Sequence, residues 1–327
     1  MKKTKDFIKR EYKFIILLIL LVVICYIKLP FYISAPGGVI NVTNRVIMDD
    51  YKKSDGSLNM LYVSEYEATP IMYLYAKLMN YEISSNTNKQ VSNESMKEAE
   101  IRNKIMRDNS LDIATMVAYN KAGKKIDIKN KENVVIATTI DNGLKIGDVI
   151  LKVDNIECDE VEDIKNIIKS KEVGEEITFK VLRDNKEKEI KSKVLLEDNT
   201  KIIGVVIVTK YDYDLDPQID IKFKNSESGS SGGLMLTLTI YNAISDEDII
   251  KGRNISGTGT IANNGSVGEI DGVKYKIMGA AKNDMDIAFV PSANYEEAIE
   301  TKNKYNYDIK IVKVDTFDEA VEYLKNN

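Results

Sequence analysis

The chain has 327 residues, 43% hydrophobic and 30% charged, with a formal net charge of −5, two cysteines and no histidine. The length allows two or three domains, and the dispersed Lys and Arg residues form no basic stripe that would call for a nucleic acid. Without histidine there can be no HExxH zinc protease, Ser-His-Asp hydrolase or His-ligated metal site, and Cys25 and Cys158 are expected to be small buried hydrophobes rather than a disulfide framework.

Phe14 to Ile27 carries no charge, and the apolar character continues past Lys28 through Leu29-Pro30-Phe31-Tyr32-Ile33. Fourteen residues fall short of the ~20 that a bilayer span requires. Residues 14–33 reach that length if Lys28 extends its ammonium to the interface. Lys2, Lys3, Lys5, Lys9, Arg10 and Lys13 precede the run, whereas only Lys28 and then Arg45 follow it. This asymmetry predicts a cytoplasmic basic segment at 1–13, a transmembrane anchor at 14–33 and an extracytoplasmic body. A cleaved signal peptide shares the basic start and apolar core, but Tyr32-Ile33-Ser34-Ala35-Pro36 offers no convincing small-x-small cleavage site.

Residues 35–123 read as an extracytoplasmic β/α segment. Short β-rich runs at Val39-Ile40-Asn41-Val42 and Leu61-Tyr62-Val63 predict strands, and Ile71 to Met79, Glu94 to Met106 and Leu111 to Tyr119 predict three helices. The polar stretch Ser84 to Asn93 predicts a loop, and no internal repeat is evident.

Residues 124–196 form the next unit. A strand is expected at Val134-Val135-Ile136-Ala137, and a turn at Gly143-Leu144-Lys145-Ile146-Gly147-Asp148 feeds another through Val153. An amphipathic helix follows over Asp159 to Lys169, then a hairpin folded around Asp184-Asn185. The GL-x-x-GD-x-I-x-x-V-D run followed by that helix resembles a PDZ domain of the bacterial protease type. The resemblance implies a unit that holds extended peptides or C-termini by strand addition, although a steric gate or spacer would look the same here.

Residues 200–327 alternate strands and helices, as in an α/β or α+β domain. Strands are expected at Ile202 to Val208, Ile219 to Phe223, Ile255 to Ile261, Ile287 to Pro291 and Ile309 to Val314. The run Ser228-Gly229-Ser230-Ser231-Gly232-Gly233 leads into a helix from about Ser231 to Ile244, and Val273 to Lys282 predicts another. A Gly-Ser loop opening a helix presents backbone N–H groups that suit a phosphate or an oxyanion. No G-x-x-x-x-G-K-(S/T) pattern occurs in these residues to favour phosphate. A catalytic serine here would need a lysine or a carboxylate as its base.

Four ordered segments, Ser231-Gly232-Gly233-Leu234-Met235, Gly257-Thr258-Gly259-Thr260-Ile261, Gly265 to Lys276 and Ile287-Ala288-Phe289-Val290-Pro291, resemble the proteolytic domain of Lon-type serine peptidases. With the apolar run and the PDZ unit, the chain resembles the membrane-anchored, ATP-independent PDZ-containing Lon-like peptidases of Gram-positive bacteria. The resemblance implies an α+β chain composed of an N-terminal transmembrane helix, a PDZ domain and a Lon-type proteolytic α/β domain.

It also implies Ser231 as nucleophile, Lys276 as dyad lysine, Thr258 as a group that orients that lysine and the Gly232 N–H as oxyanion donor. Three positions depart from the family pattern: Ser230 stands for its common Pro, Gly232 for its Ala and Asp271 for the first Gly of a Gly-Gly pair. Helical periodicity from Val273 favours Lys274 over Lys276 for the inward face, so Lys274 is an alternate base. Ser226, Ser228 and Ser230 are alternate nucleophiles.

A free lysine is about one part in two thousand neutral at pH 7, so the base should be shielded from water. No cofactor or metal is expected. The partners expected are exported peptides or unfolded segments, and a homo-oligomer is left open. A tail-specific protease places its Ser and Lys closer than the 45 residues here. A non-catalytic PDZ scaffold on a degenerate protease fold has no need to keep both.

Overall fold

The computed structural model describes residues 2–49, 51, 54–85, 96–224, 227 and 229–327. Most of the polar stretch expected as a loop, residues 86–93, and the start of the helix expected from Glu94 lie outside the described residues, as do Ser226 and Ser228.

The first helix, α1, is Lys2–Tyr26. Pro30 lacks an N–H and restricts Leu29 to extended backbone, and the chain turns into strand instead. The Leu29 N–H donates to the Ala68 carbonyl at 2.7 Å, and β1 runs Phe31–Asn41. The apolar run expected as an anchor over 14–33 is thus helical only to Tyr26. Its last residues are strand, and the apolar helix Phe14–Tyr26 is about 20 Å long against the ~30 Å of a hydrocarbon core. Among the described residues, no helix is long and apolar enough to cross a membrane.

After β1 come β2 (Val46–Ile47) and β3 (Ser57–Glu67), whose first five residues are buried. Thr69 Oγ1 accepts from the Met72 N–H and Pro70 occupies the first position, starting α2 (Pro70–Leu78). Strand β4 is Glu82–Ser85. Where two helices were expected there is one, α3 (Met96–Ala122), because no Pro or Gly interrupts it.

The PDZ body begins with β5 (Lys125–Thr138), followed by β6 (Val149–Val153), β7 (Ile156–Glu157) and α4 (Val161–Ser170). Next come β8 (Glu176–Arg183), β9 (Lys186–Lys193), β10 (Leu195–Glu197), β11 (Thr200–Ile202) and β12 (Val205–Asp216). Asp184 and Asn185 both take positive φ (52° and 58°), which matches the twist of the β8–β9 hairpin. The sheet order is β12-β5-β6-β8-β9. Ile164 and Ile168 of α4 close its core over Val135, Ile177, Phe179 and Val181. The strand expected at Ile202 to Val208 divides between β11 and β12. Strand β12 pairs with β5 from Val205↔Thr138 to Asp216↔Lys125, and so belongs to the PDZ sheet and not to the segment that follows.

The remaining elements are β13 (Asp220–Ile221), α5 (Gly233–Ile244), β14 (Asn254–Gly257), β15 (Thr260–Ile261) and β16 (Val267–Gly268). Then follow α6 (Val273–Lys282), β17 (Ile287–Pro291), α7 (Tyr295–Tyr305), β18 (Lys310–Val314) and α8 (Phe317–Asn326). A mixed sheet orders them β18-β17-β14-β3-β1-β4. β14 runs parallel to both β17 and β3.

Residues 35–123, expected as a segment preceding the PDZ unit, thus contribute most of β1 and all of β3 and β4 to the sheet of the C-terminal domain. Ile255 is fully buried, so β14 needs a partner on each edge, and β3 supplies one. Alternation along the strands sends Leu58, Met60 and Phe289 to one face with α3, α5 and α8, and Leu61, Ala288 and Val290 to the other with α6. The PDZ body is an insertion between the two parts of this three-layer domain.

Candidate active site

Ser231 and Gly232 form the turn that opens α5, two residues before the helix begins. The turn is pressed against the strand side by Gly233, where a Cβ would stand 2.8 Å from the Ile261 nitrogen. The Ser231 carbonyl accepts from the Gly259 N–H at 2.8 Å and from Thr258 Oγ1 at 3.1 Å. Thr258 is itself fully buried at the end of β14, with its N–H on the Phe289 carbonyl.

Lys276 lies on the other side of Thr258. Gly272, at φ +68°, turns the chain into α6, and Val63 Cγ2 would be 2.8 Å from a Cβ there. From that start Lys276 falls on the buried side, 4% exposed, and its Nζ donates to Thr258 Oγ1 at 3.1 Å. The threonine hydroxyl has a single proton, and that proton goes to the Ser231 carbonyl. Towards Lys276 it can only accept. The amine is thus held by one of its own N–H groups, which leaves its lone pair free.

Burial lowers the Lys276 pKa from 10.5 to about 8, with Asp271 the opposing influence. No carboxylate forms an ion pair with Lys276 among the described residues. The charge introduced at Asp271 therefore moderates the lysine without neutralising it.

The structure brings Ser231, Thr258 and Lys276 together through this chain of two hydrogen bonds, with no direct bond between the serine and lysine side chains. Lys274, favoured by periodicity, is directed elsewhere, its Nζ on the Asn80 carbonyl at 3.2 Å. Periodicity misled because α6 buries Val273, Tyr275, Lys276, Ile277, Gly279 and Ala280, almost its whole circumference, so no single stripe marks the inside. The Ser230 carbonyl is held by the Gly233 N–H (3.2 Å) and Ser110 Oγ (3.3 Å).

A cavity of about 560 Å³ opens at the serine, lined by Ser231 and Gly232 together with Ile40, Met60, Tyr62 and Phe223 among others. The Gly232 N–H takes no partner among the described residues and sits at this wall. Lys276 stays behind the serine, out of the cavity. Among the described residues, no cluster of His, Cys, Asp or Glu could hold a metal ion.

Two clamps on the serine's loop were not legible in the sequence. Arg45, after β1, forms a two-pronged ion pair with Glu227, its Nη2 on Oε1 at 2.7 Å. Arg107 of α3 donates from Nη1 to the Glu227 carbonyl at 3.2 Å and faces the Phe223 ring. These partners lie 182 and 120 residues apart in the chain, and no local motif links them.

Comparison with known proteins divides the chain in two. The PDZ domain profile matches residues 123–194, and that of the Lon protease (S16) C-terminal proteolytic domain matches residues 223–326. The Lon protease of Mesomycoplasma hyopneumoniae is 32% identical over 98 residues, which is 30% of this chain and 11% of that protein. That of Campylobacter jejuni is 31% identical over 98 residues, 30% of this chain and 12% of its own length. The Campylobacter concisus protein is 27% identical over 148 residues, 44% of this chain and 18% of its own length. The chain thus spans less than a fifth of the length of these relatives. The crystallised PDZ domain of an SdrC-like protein from Listeria monocytogenes is 22% identical, covers 23% of this chain and 86% of its own, and superposes with a TM-score of 0.22. The chain carries a PDZ domain and a Lon-type C-terminal proteolytic domain in a mixed α+β structure.

Proposed function

We propose that the protein is a serine endopeptidase in which neutral Lys276 activates Ser231. The observation that carries this reading is the burial of a lysine whose amine, among the described residues, has Thr258 as its one hydrogen-bond partner and no ion pair, Thr258 being bonded in turn to the serine residue. The Lon-type proteolytic domain supports the reaction class. Lys276 takes the Oγ proton as the hydroxyl attacks a peptide carbonyl, and the oxyanion develops towards the Gly232 N–H. The lysine ammonium then gives that proton to the departing amine. Water attacks the acyl-enzyme with Lys276 again accepting a proton, and collapse of the second tetrahedral intermediate returns Ser231 to its hydroxyl form.

We propose further that the substrates are exported peptides or unfolded segments and that cleavage is independent of ATP. No P-loop pattern occurs in these 327 residues. The body is proposed to be extracytoplasmic and held at a membrane by α1. Side chains from Phe14 to Tyr26 are exposed around the helix, and the basic residues ahead of them support a cytoplasmic N-terminus. The short helix would insert with its flanks snorkelling and the bilayer thinned locally. Ile71, Leu74, Tyr75 and Leu78 form an exposed apolar stripe on α2, which packs near α1, and support contact with the same surface.

The test is cleavage of a disordered peptide library by the full chain in lipid vesicles, followed by mass spectrometry. Ser231→Ala is expected to abolish cleavage with the fold intact. Undiminished turnover in that variant would remove Ser231 from its role.

A further inference from the structure

The serine's loop is held by a helix that reaches it from the PDZ sheet. On one side α3 grips Glu227, Gly229 and Ser230. The Asn103 backbone carbonyl accepts from the Gly229 N–H at 3.4 Å, Arg107 Nη1 donates to the Glu227 carbonyl at 3.2 Å, and Ser110 Oγ donates to the Ser230 carbonyl at 3.3 Å. These groups follow one another at spacings of four and three residues, so they share one face of the helix.

Asn109 and Asp112 of the same helix engage the PDZ body. Asn109 Nδ2 donates to the Thr209 carbonyl at 2.8 Å, while Asp112 accepts from the Tyr211 N–H and from the Tyr213 hydroxyl, each at 3.2 Å. Strand β12 lies at the end of its sheet with β5 on one side. The Thr209 carbonyl and Tyr211 N–H that α3 takes are backbone groups on its other side, the groups an added strand would use.

We propose that Arg107 and Ser110 are positioning residues for Ser231 and that Asn109 and Asp112 tie them to the free edge of β12, so that α3 transmits the state of that edge to the nucleophile. The Ser230 carbonyl belongs to the peptide plane that leads into Ser231, and its orientation bears on the direction of Oγ; the Gly232 N–H shares its plane with the Ser231 carbonyl, which Gly259 and Thr258 hold. An extended peptide that pairs with β12 as far as Thr209 and Tyr211 must displace Asn109 and Asp112 and release one side of α3. Helix α3 cannot yield on that side alone, because Ala114, Val117 and Ala118 pack it against α5, the helix that Ser231 opens.

This inference rests on the assignment of Ser231, and its test separates the two. Tyr213→Phe and Asn109→Ala act at the PDZ tie and Ser110→Ala at the grip on the loop, whereas Arg107→Ala loosens the grip and also removes a side chain that lines the cavity and pairs with Asp108. Amide hydrogen exchange on the full chain should accelerate at least about threefold across residues 229–236 in all four variants. In Tyr213→Phe, Asn109→Ala and Ser110→Ala, turnover of a fluorogenic casein-derived peptide should lose about three- to tenfold in kcat with KM within about twofold, since orientation of the nucleophile and not substrate binding is impaired. The pH midpoint of activity should stay unmoved, because Lys276 is untouched. Arg107→Lys, which keeps a donor for the Glu227 carbonyl, should recover part of the protection lost in Arg107→Ala. Unchanged exchange across 229–236 in Tyr213→Phe and Asn109→Ala would overturn the coupling. A shifted pH midpoint in Ser110→Ala would overturn the positioning role. The exchange measurement needs no turnover, so an inactive protein would count against the peptidase reading and leave this inference to be decided by exchange.

Discussion

The two bodies of the molecule each bury an ionisable group and treat it in opposite ways. In the PDZ body Asp148 is 1% exposed, and Arg183 meets it with two donors, Nε on Oδ1 at 2.7 Å and Nη2 on Oδ2 at 2.6 Å. The Lys145 N–H adds a third bond at 2.8 Å. In the proteolytic body Lys276 is nearly as buried, but it has a hydroxyl in place of a counter-charge. A buried charge given a full partner stays charged and braces the loop that carries it. One denied a partner gives up its proton near neutral pH and becomes a base.

The contrast can be broken most forcefully at Lys276. Lys276→Met should lower peptide turnover at least about a thousandfold. The same change should raise unfolding stability at pH 7 by up to about 3 kcal/mol, because it removes the cost of holding the amine at about 8 instead of 10.5. That lysine binds fewer protons in the folded state between pH 8 and 10.5, so its penalty fades as pH rises through that window. Denaturation of both proteins at pH 7 and pH 11 measures the effect, and the gain should vanish at the higher value.

Arg183→Met should act in reverse. It strands a buried carboxylate and should destabilise the PDZ body by about 3–5 kcal/mol in urea unfolding, with no shift in the pH dependence of cleavage.

The rate itself supplies a third measurement. kcat/KM should rise with pH to a plateau with an apparent midpoint near 8, following loss of the Lys276 proton. A midpoint below 7 would assign the base to another group.

The smallest effect is expected at Asp112, an intermediate case between the two bodies. Burial raises its pKa from 3.8 to about 6, against the lowering influence of the Tyr211 and Tyr213 bonds and of Lys210. The folded state therefore holds its proton through the window from pH 3.8 to 6, and the stability this gives is lost as pH rises through 6. Asp112→Asn should be the more stable protein at pH 7 by about 1–2 kcal/mol once the acceptor lost to Tyr213 is set against it. The difference should disappear below pH 4.

What could be read from the sequence was what the chain writes within short stretches. The Gly143 to Asp154 run, the Asp184-Asn185 turn and the Ser231-Gly232-Gly233 opening of α5 are set by neighbours a few residues away. The joining of β3 to β14 was not legible, since Leu58 and Ile255 are 197 positions apart and either could have paired elsewhere. The choice between Lys276 and Lys274 was beyond periodicity because α6 is enclosed on nearly every side, and the family pattern carried it. The point at which the apolar helix from Phe14 ends was not legible, because hydropathy alone does not register that Pro30 stops a helix and that Phe31 onwards has a sheet to join.

The register of β5 with β12 bears on how such a molecule is assembled. Lys125 sits opposite Asp216, so the chain leaves the proteolytic body and returns to it at neighbouring points. The PDZ module hangs on a two-stranded stalk, like a cassette clipped in by adjacent pins. A short turn joining Lys124 to Pro217 would excise it and leave β3 and β14 side by side. Reading frames that exchange one such module for another would pass the same test, as long as the newcomer offers α3 something to hold.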